Sequence, residues 1–267
     1  PSLKELVALL PNNVESLQFT GGEVTLRPDE LLDAISDSHS LGIGNIRIQS
    51  NGRMLAYGNL VERLKEAGLN GADISLHGAQ PKSHDWITQA PNSFRQAIGG
   101  IRKAVQSGLN VAVHMVLIKS NFREAADLVK LCAKLGVTEI HFRMVTSEGW
   151  AAEEAAQPAL MPKFSLVLPY VGRAVLRAKR AGIDVQLHDF PICQSGSLTS
   201  FISDKECEWL GLTEEQWGRA EHVHPEPCAS CDLKADCVGL TAAYNDYYGN
   251  ADLVPIQVES EIKKKRT

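Results

Sequence analysis

The chain has 267 residues, 44% of them hydrophobic and 22% charged. That is enough to bury the core of one large domain, or of one domain with an appendage, without obligatory disulfide or metal staples. It excludes a disordered or collagen-like chain, and no apolar run reaches the ~18 residues of a membrane helix. The 27 Lys and Arg against 32 Asp and Glu leave a net charge of −5, which argues against a duplex nucleic-acid partner; the closing Lys263 to Arg266 run reads as a solvated tail.

In chain order, Leu3 to Leu10 is amphipathic from its first turn, with neither the basic nor the apolar region of a signal peptide. A cytoplasmic protein is expected, and a chain that opens inside a helix is expected to lack what precedes it. Val14 to Thr20 reads as a strand and Pro28 to His39 as a helix with proline in its first turn. Asn45 to Ser50 is a strand, and Leu55 to Ala67 a helix closed by Gly68. Ala72 to His77 is a strand, followed by a helix over Asn92 to Ser107. Val111 to Ile118 is a continuous apolar strand suited to burial on both faces. Helix Phe122 to Leu135, strand Thr138 to Val145, helix Met161 to Arg180 and strand Ile183 to His188 complete the series. This is β/α alternation at about 30 residues per unit, the pattern of a parallel α/β sheet. Periodicity does not separate a barrel from a doubly wound sheet. From residue 189 the alternation gives way to Pro, Cys, His and aromatic residues. The expected organisation is therefore a core over 1–188 and a Cys-rich extension over 189–267.

In parallel α/β proteins the site lies at the C-terminal ends of the strands. The residues there are Thr20-Gly21-Gly22-Glu23, Ser50-Asn51-Gly52, His77-Gly78, Lys119-Ser120-Asn121 and Thr146-Ser147-Glu148-Gly149. Gly21 and Gly22 lack Cβ atoms, so backbone there can approach a ligand; a tight turn would use them equally well. Asn51-Gly52 is also a good turn dipeptide. Ser75 and His77 share one face of their strand, although a strand histidine is often a hydrogen-bonded core residue. His114 is a weaker candidate of the same kind.

The stretches QFTGGEVTLRPD, IRIQSNGRM, AGLNGADISLHG, SFRQAIGGIRKAVQSGLNV and NVAVHMVLIKSN resemble, in unbroken order over residues 3 to 150, the radical S-adenosylmethionine (radical SAM) enzymes. The resemblance implies a partial (β/α)6 barrel whose first strand is absent from this chain. It implies SAM as cofactor, with Gly21, Gly22 and Glu23 at the methionyl amino group, Ser50 and Asn51 at the methionyl part, and Ser75 and His77 toward ribose or carboxylate. Leu117 and Met144 stand where adenine packs, or are plain core. It also implies reductive cleavage of SAM to a 5′-deoxyadenosyl radical that abstracts hydrogen from a small-molecule or peptide substrate, with an electron donor such as flavodoxin or ferredoxin. The departure is the cluster motif. The family's C-x3-C-x2-C, which ligates the SAM-binding [4Fe–4S] cluster, has no counterpart here, because the first cysteine is Cys132. Either that segment lies upstream of Pro1, or this is a divergent barrel that has lost its cluster.

Six cysteines fall at 132, 193, 207, 228, 231 and 237. With nothing marking secretion, metal ligation is favoured over disulfides. Cys228, Cys231 and Cys237 form C-x2-C-x5-C, and Cys193 is the expected fourth ligand, with Cys207 its rival; Cys132 reads as core. Four thiolates suit a [4Fe–4S] cluster or a tetrahedral zinc ion. The run PCASCDLKADCVGLTAAYNDYYG resembles the auxiliary-cluster regions, SPASM and Twitch, that follow many radical SAM barrels, which implies one auxiliary [4Fe–4S] cluster. Tyr244, Tyr247 and Tyr248 read as packing beneath it. A peptide or peptide-derived substrate is the expectation. The competing reading is a SAM- or nucleotide-binding α/β protein with a structural zinc site and no radical chemistry.

Overall fold

Apolar residues at every second position decide which way each strand faces. Ile46 and Ile48, then Val111, Val113, Met115 and Leu117, then Ile140, Phe142 and Met144, then Val185 and Leu187 are all buried. Of the intervening residues Ala112 is buried too, whereas Arg47 and Gln49, His114 and Val116, His141 and Arg143, and Gln186 and His188 are only partly covered or exposed. One face of the sheet is therefore apolar, and the other is mostly polar. The computed structural model describes residues 2–147, 151, 157–203 and 221–258.

The six strands are β1 (Ser16–Phe19), β2 (Asn45–Ser50), β3 (Gly71–Ser75), β4 (Asn110–Leu117), β5 (Glu139–Met144) and β6 (Asp184–His188). They pair in simple sequence order, and every pair is parallel. Between them run α2 (Pro28–Ser40), α3 (Leu60–Glu66), α4 (Pro81–Thr88), α5 (Ser93–Gln106), α6 (Ala125–Leu135) and α8 (Phe164–Ala181), with α1 (Leu3–Val7) ahead of β1 and the short α7 (Gln157–Leu160) ahead of α8. A right-handed crossover that always advances in one direction keeps its helices on one face, whereas a doubly wound sheet reverses its strand order at a switch point. The order is monotonic, so the sheet is a partial (β/α)6 barrel, with helices outside and the polar face inside. The helices bury Leu31, Ala34 and Ile35 of α2, Ala97, Ile101 and Ala104 of α5, Leu128, Val129 and Cys132 of α6, and Val167, Val171 and Ala174 of α8 against the apolar face. Burial pushes the Cys132 thiol up to about 12, which fits its place as core.

Two elements differ from expectation. The helix expected over Leu55 to Ala67 is a 3-10 turn at Met54–Ala56 followed, past Gly58, by α3. Gly58 sits at φ +55, which breaks the helix. Helix α4 was hidden because PKSHDWIT carries two apolar residues in eight and no 3.6-residue stripe.

The extension holds α9 (Ile192–Ser195), the antiparallel pair β7 (His222–Val223) and β8 (Leu240–Thr241), and α10 (Ala242–Tyr248). It leans on the barrel. The Tyr244 ring packs 4.5 Å from that of Phe164, and its hydroxyl accepts from the Phe164 backbone N–H at 3.1 Å. The Tyr248 hydroxyl donates to the Met161 carbonyl at 2.7 Å. The backbone N–H of Ser203 donates to Leu187 on β6 at 2.9 Å. Cys207 and Glu148 lie outside the described residues.

Candidate active-site face and cysteine pocket

The strand-end residues of β1 and β2 are tied to each other. Glu23 Oε1 accepts from the Thr25 backbone N–H at 3.1 Å, the Thr25 hydroxyl at 2.5 Å and the Ser50 hydroxyl at 2.7 Å. Its Oε2 accepts from the Asn51 N–H at 2.8 Å. Ser50 is 4% exposed, and its oxygen also accepts from Gly52 N–H at 3.0 Å. Glu23, Ser50 and Asn51 thus form a latch across two loops, and the Ser50 hydroxyl is turned into the protein. Gly21 and Gly22 differ: a Cβ built on either meets nothing within 4 Å. The surface over these two glycines is open and borders the latch.

Position 52 shows why the second loop needs glycine. Gly52 has φ +73, and a Cβ there would meet Ile74 Cγ2 at 2.7 Å. Helix α5 presses on the same turn, since a Cβ on Gly100 would sit 2.1 Å from the Gly52 carbonyl oxygen. In the sequence Gly100 is one residue of a helix; its part in seating the Asn51-Gly52 turn depends on a tertiary contact with no local signature.

Ser75 closes β3 on the inner face, in register with His114. His77 follows beyond the strand. Its Nδ1 accepts from Val116 N–H at 3.4 Å, and its backbone N–H donates to His84 Nδ1 at 3.0 Å. With Nδ1 accepting, the proton of this neutral ring sits on Nε2. Burial holds both His77 and His84 down at about 4. Asn121, fully buried, splices these strand ends: its Oδ1 accepts from Ile118 N–H at 2.7 Å, and its Nδ2 donates to the carbonyls of His77 and Val116 at 3.0 and 2.8 Å. Leu117 and Met144 are buried with the core.

Lower on the inner face, His114, His141 and His188 stand in a row across β4, β5 and β6. Ring centroids are 4.2 and 5.1 Å apart with nearly parallel planes. His141 Nδ1 and His188 Nε2 lie 2.9 Å apart, and His141 Nε2 is 3.0 Å from Glu139 Oε1. Burial, followed by the nearby Arg143 and His141, takes His188 down to about 4; burial and its neighbours take His114 well below the ordinary imidazole range. His114 Nε2 is a buried atom without a hydrogen-bond partner among the described residues. Arg47 is paired with Asp73, and Arg143 with Asp189 at 2.8 Å. An apolar molecule against this lining would leave His114 Nε2 unsatisfied.

The extension brings Cys193, Cys228, Cys231 and Cys237 to the wall of one pocket, together with His224 and Lys234. All four are free thiols. Backbone N–H groups aim at the sulfurs: Ile192 and Gly239 at Cys237 at 3.4 Å each, Ile256 at Cys231 at 3.5 Å, and Val254 at Cys193. Burial and the neighbouring thiols raise Cys193, and burial with Cys237 and Cys231 raises Cys228, so the uncharged thiol is favoured while nothing binds. Among the described residues no three His, Cys, Asp or Glu side chains are arranged to hold a single ion. Four cysteine sulfurs on one pocket wall are a donor set of the chemical type that holds zinc or an iron–sulfur cluster.

The sequence profile of the radical SAM superfamily matches residues 2–154. The AdoMet-dependent heme synthase of Oleidesulfovibrio alaskensis is 29% identical over 84% of this chain and 69% of its own length. A probable GTP 3′,8-cyclase of Saccharolobus solfataricus is 36% identical over 48% of this chain and 41% of its own, so this chain spans less than half of that relative. Among solved structures, anSMEcpe with bound AdoMet aligns over 95% of this chain and 82% of its own with TM-score 0.59 and 14% identity. Streptococcus suis SuiB bound to S-adenosylmethionine aligns over 70% of this chain and 43% of its own with TM-score 0.56 and 14% identity, a likeness of fold.

Proposed function

This chain belongs to the radical SAM superfamily and is an enzyme of that group, and from this we propose that it binds SAM above Gly21 and Gly22 and carries an auxiliary [4Fe–4S] cluster on Cys193, Cys228, Cys231 and Cys237. In this reading residues 1–188 form the SAM-binding core and 189–267 the auxiliary-cluster extension. Glu23 holds the two strand-end loops in place while the backbone of Gly21 and Gly22 meets the methionyl group; Asn51, Ser75 and His77 line the path onward. SAM on its own [4Fe–4S] cluster supplies the 5′-deoxyadenosyl radical in this superfamily. The residues before Cys132 contain no thiol for that cluster, so no step of SAM cleavage is assigned to them.

The substrate rests on the inner face and is polar, because His114 Nε2 is buried there without a hydrogen-bond partner among the described residues. A peptide substrate draws support from the Cys-rich extension and from fold neighbours solved with bound peptides. A small molecule draws support from the heme synthase, whose match runs through most of both chains. Electrons would come from a flavodoxin or ferredoxin, and a cytoplasmic site suits reduced thiols.

The observation that carries the iron–sulfur reading is the convergence of four thiols and four backbone amides on one cavity. A zinc ion would gather all its thiolates about 2.3 Å from a single centre, whereas a cubane binds one thiolate per iron corner. Anaerobic reconstitution with iron and sulfide should load about four of each per chain, and Cys231→Ser should lose most of both. Stoichiometric zinc in a colourless protein would replace this reading with a SAM- or nucleotide-binding protein carrying a structural zinc site.

A further inference from the structure

The four thiols of the pocket are not equally served. Cys237 faces two backbone N–H groups, and Cys231 and Cys193 face one each. No such amide is recorded at Cys228 among the described residues; its backbone N–H is turned to Pro225 O at 2.8 Å. What stands at that corner is Lys234, which lines the same cavity and whose positive charge acts on the Cys228 sulfur. Its backbone is fixed by the 3-10 turn Lys234–Asp236, which starts from a hydrogen bond to Cys231 O. The turn that separates two of the cysteines therefore also aims a cation at a third.

Resting on the iron–sulfur reading above, we propose that Lys234 sets the reduction potential of the C-terminal cluster, serving at the Cys228 corner the part that backbone amides serve at the other three. The physics is that of hydrogen bonds and charges around a cluster. Positive charge stabilises the extra electron of the reduced form, so each such group raises the potential. An amide is a fixed partial charge, but the lysine is a full charge on a flexible stem at the solvent edge. Its effect is screened by water and salt, unlike that of the amides. Lys234 is a positioning and tuning residue in this account; it is not a ligand.

The test is an EPR-monitored redox titration of the reconstituted chain as wild type, Lys234→Met, Lys234→Arg and Lys234→Glu, with iron and acid-labile sulfide measured on each. The expected result is a more negative midpoint in Lys234→Met, a further negative shift in Lys234→Glu, and a value near wild type in Lys234→Arg. Raising the salt concentration should shrink the difference between wild type and Lys234→Met. If Lys234→Met loads less cluster and Lys234→Arg restores it, the charge at the Cys228 corner is again what matters. Equal midpoints in all four proteins, at equal iron and sulfide content, would overturn the role of Lys234 and leave the cluster assignment standing. A wild-type protein that takes up zinc and no iron would remove the cluster itself, and the inference with it.

Discussion

The strand ends of the barrel and the cysteine pocket, the two proposed binding surfaces, are built in opposite ways. Around β1 and β2 every polar side chain of the latch has its partner within the chain: Glu23 accepts four hydrogen bonds, and Ser50 donates one and accepts one. The apolar layer of a six-stranded sheet backs it. The cysteine pocket rests on short 3-10 turns and two strands of two residues each, and its thiols face a cavity. The lesson is about order of events. On the proposed reading the first surface is complete before SAM arrives, whereas the second would be completed by the cluster, so that binding and local folding would share one free energy there.

The largest effect should come from stripping metal from the loaded protein. The extension should become protease-sensitive between 189 and 258 while the barrel remains as a resistant fragment, because few apolar side chains hold the pocket in place. Limited proteolysis with mass spectrometry reads this directly. Equal protection of both regions after chelation would erase the contrast.

Acid should reverse the ranking by acting on the barrel. His77 and His188 are held at about 4 in the fold against an ordinary value near 6.5. Between those values the unfolded chain binds more protons, so stability is full above about pH 6.5 and declines as pH falls toward 4. At completion each ring accounts for up to about 3 kcal/mol, less where solvent screens the charge. Denaturant titrations of the barrel at pH 7 and 4.5 should show the loss, and identical midpoints would contradict neutral buried rings.

Gly100→Ala sharpens the same contrast at one atom. The new Cβ would meet the Gly52 carbonyl oxygen at 2.1 Å, a contact with backbone that no rotamer relieves. A cost of about 1–3 kcal/mol is expected, a fall of several degrees in Tm for a chain of this size. Scanning calorimetry showing no change would mean that α5 does not seat the Asn51-Gly52 turn.

Gly22→Val should disturb the fold least and the ligand most. Its Cβ enters open space, so Tm should move by little, whereas SAM affinity should drop on the order of ten-fold, about 1.4 kcal/mol. Calorimetric titration with SAM checks it. A variant that binds SAM as wild type does would move the ligand away from the glycine pair.

The alternation of β and α segments was legible because apolar spacing switches between two and 3.6 residues along the chain, and the strand ends followed from it. The four cysteines of the pocket were legible as residue types at ligand spacing. Helix α4 was not, because its eight residues carry no apolar stripe. Nor was the inward turn of Ser50: a serine beside Asn-Gly reads as a polar group at a strand end, and only the Glu23 carboxylate brought in from the previous loop draws its hydroxyl inside.

The sequence by itself determined the repeating unit, the faces of the strands and the chemistry of the candidate ligands, since these depend on neighbours a few residues apart. Tertiary structure decided barrel over doubly wound sheet, because strand order is a long-range fact that local periodicity does not encode. It also set Cys193 beside three cysteines that follow it by 35 to 44 positions. It placed Gly100 against Gly52, and it left Lys234 as the charge at the Cys228 corner. Each of these is a contact between segments whose spacing along the chain carries no period, so only the packed fold brings them together.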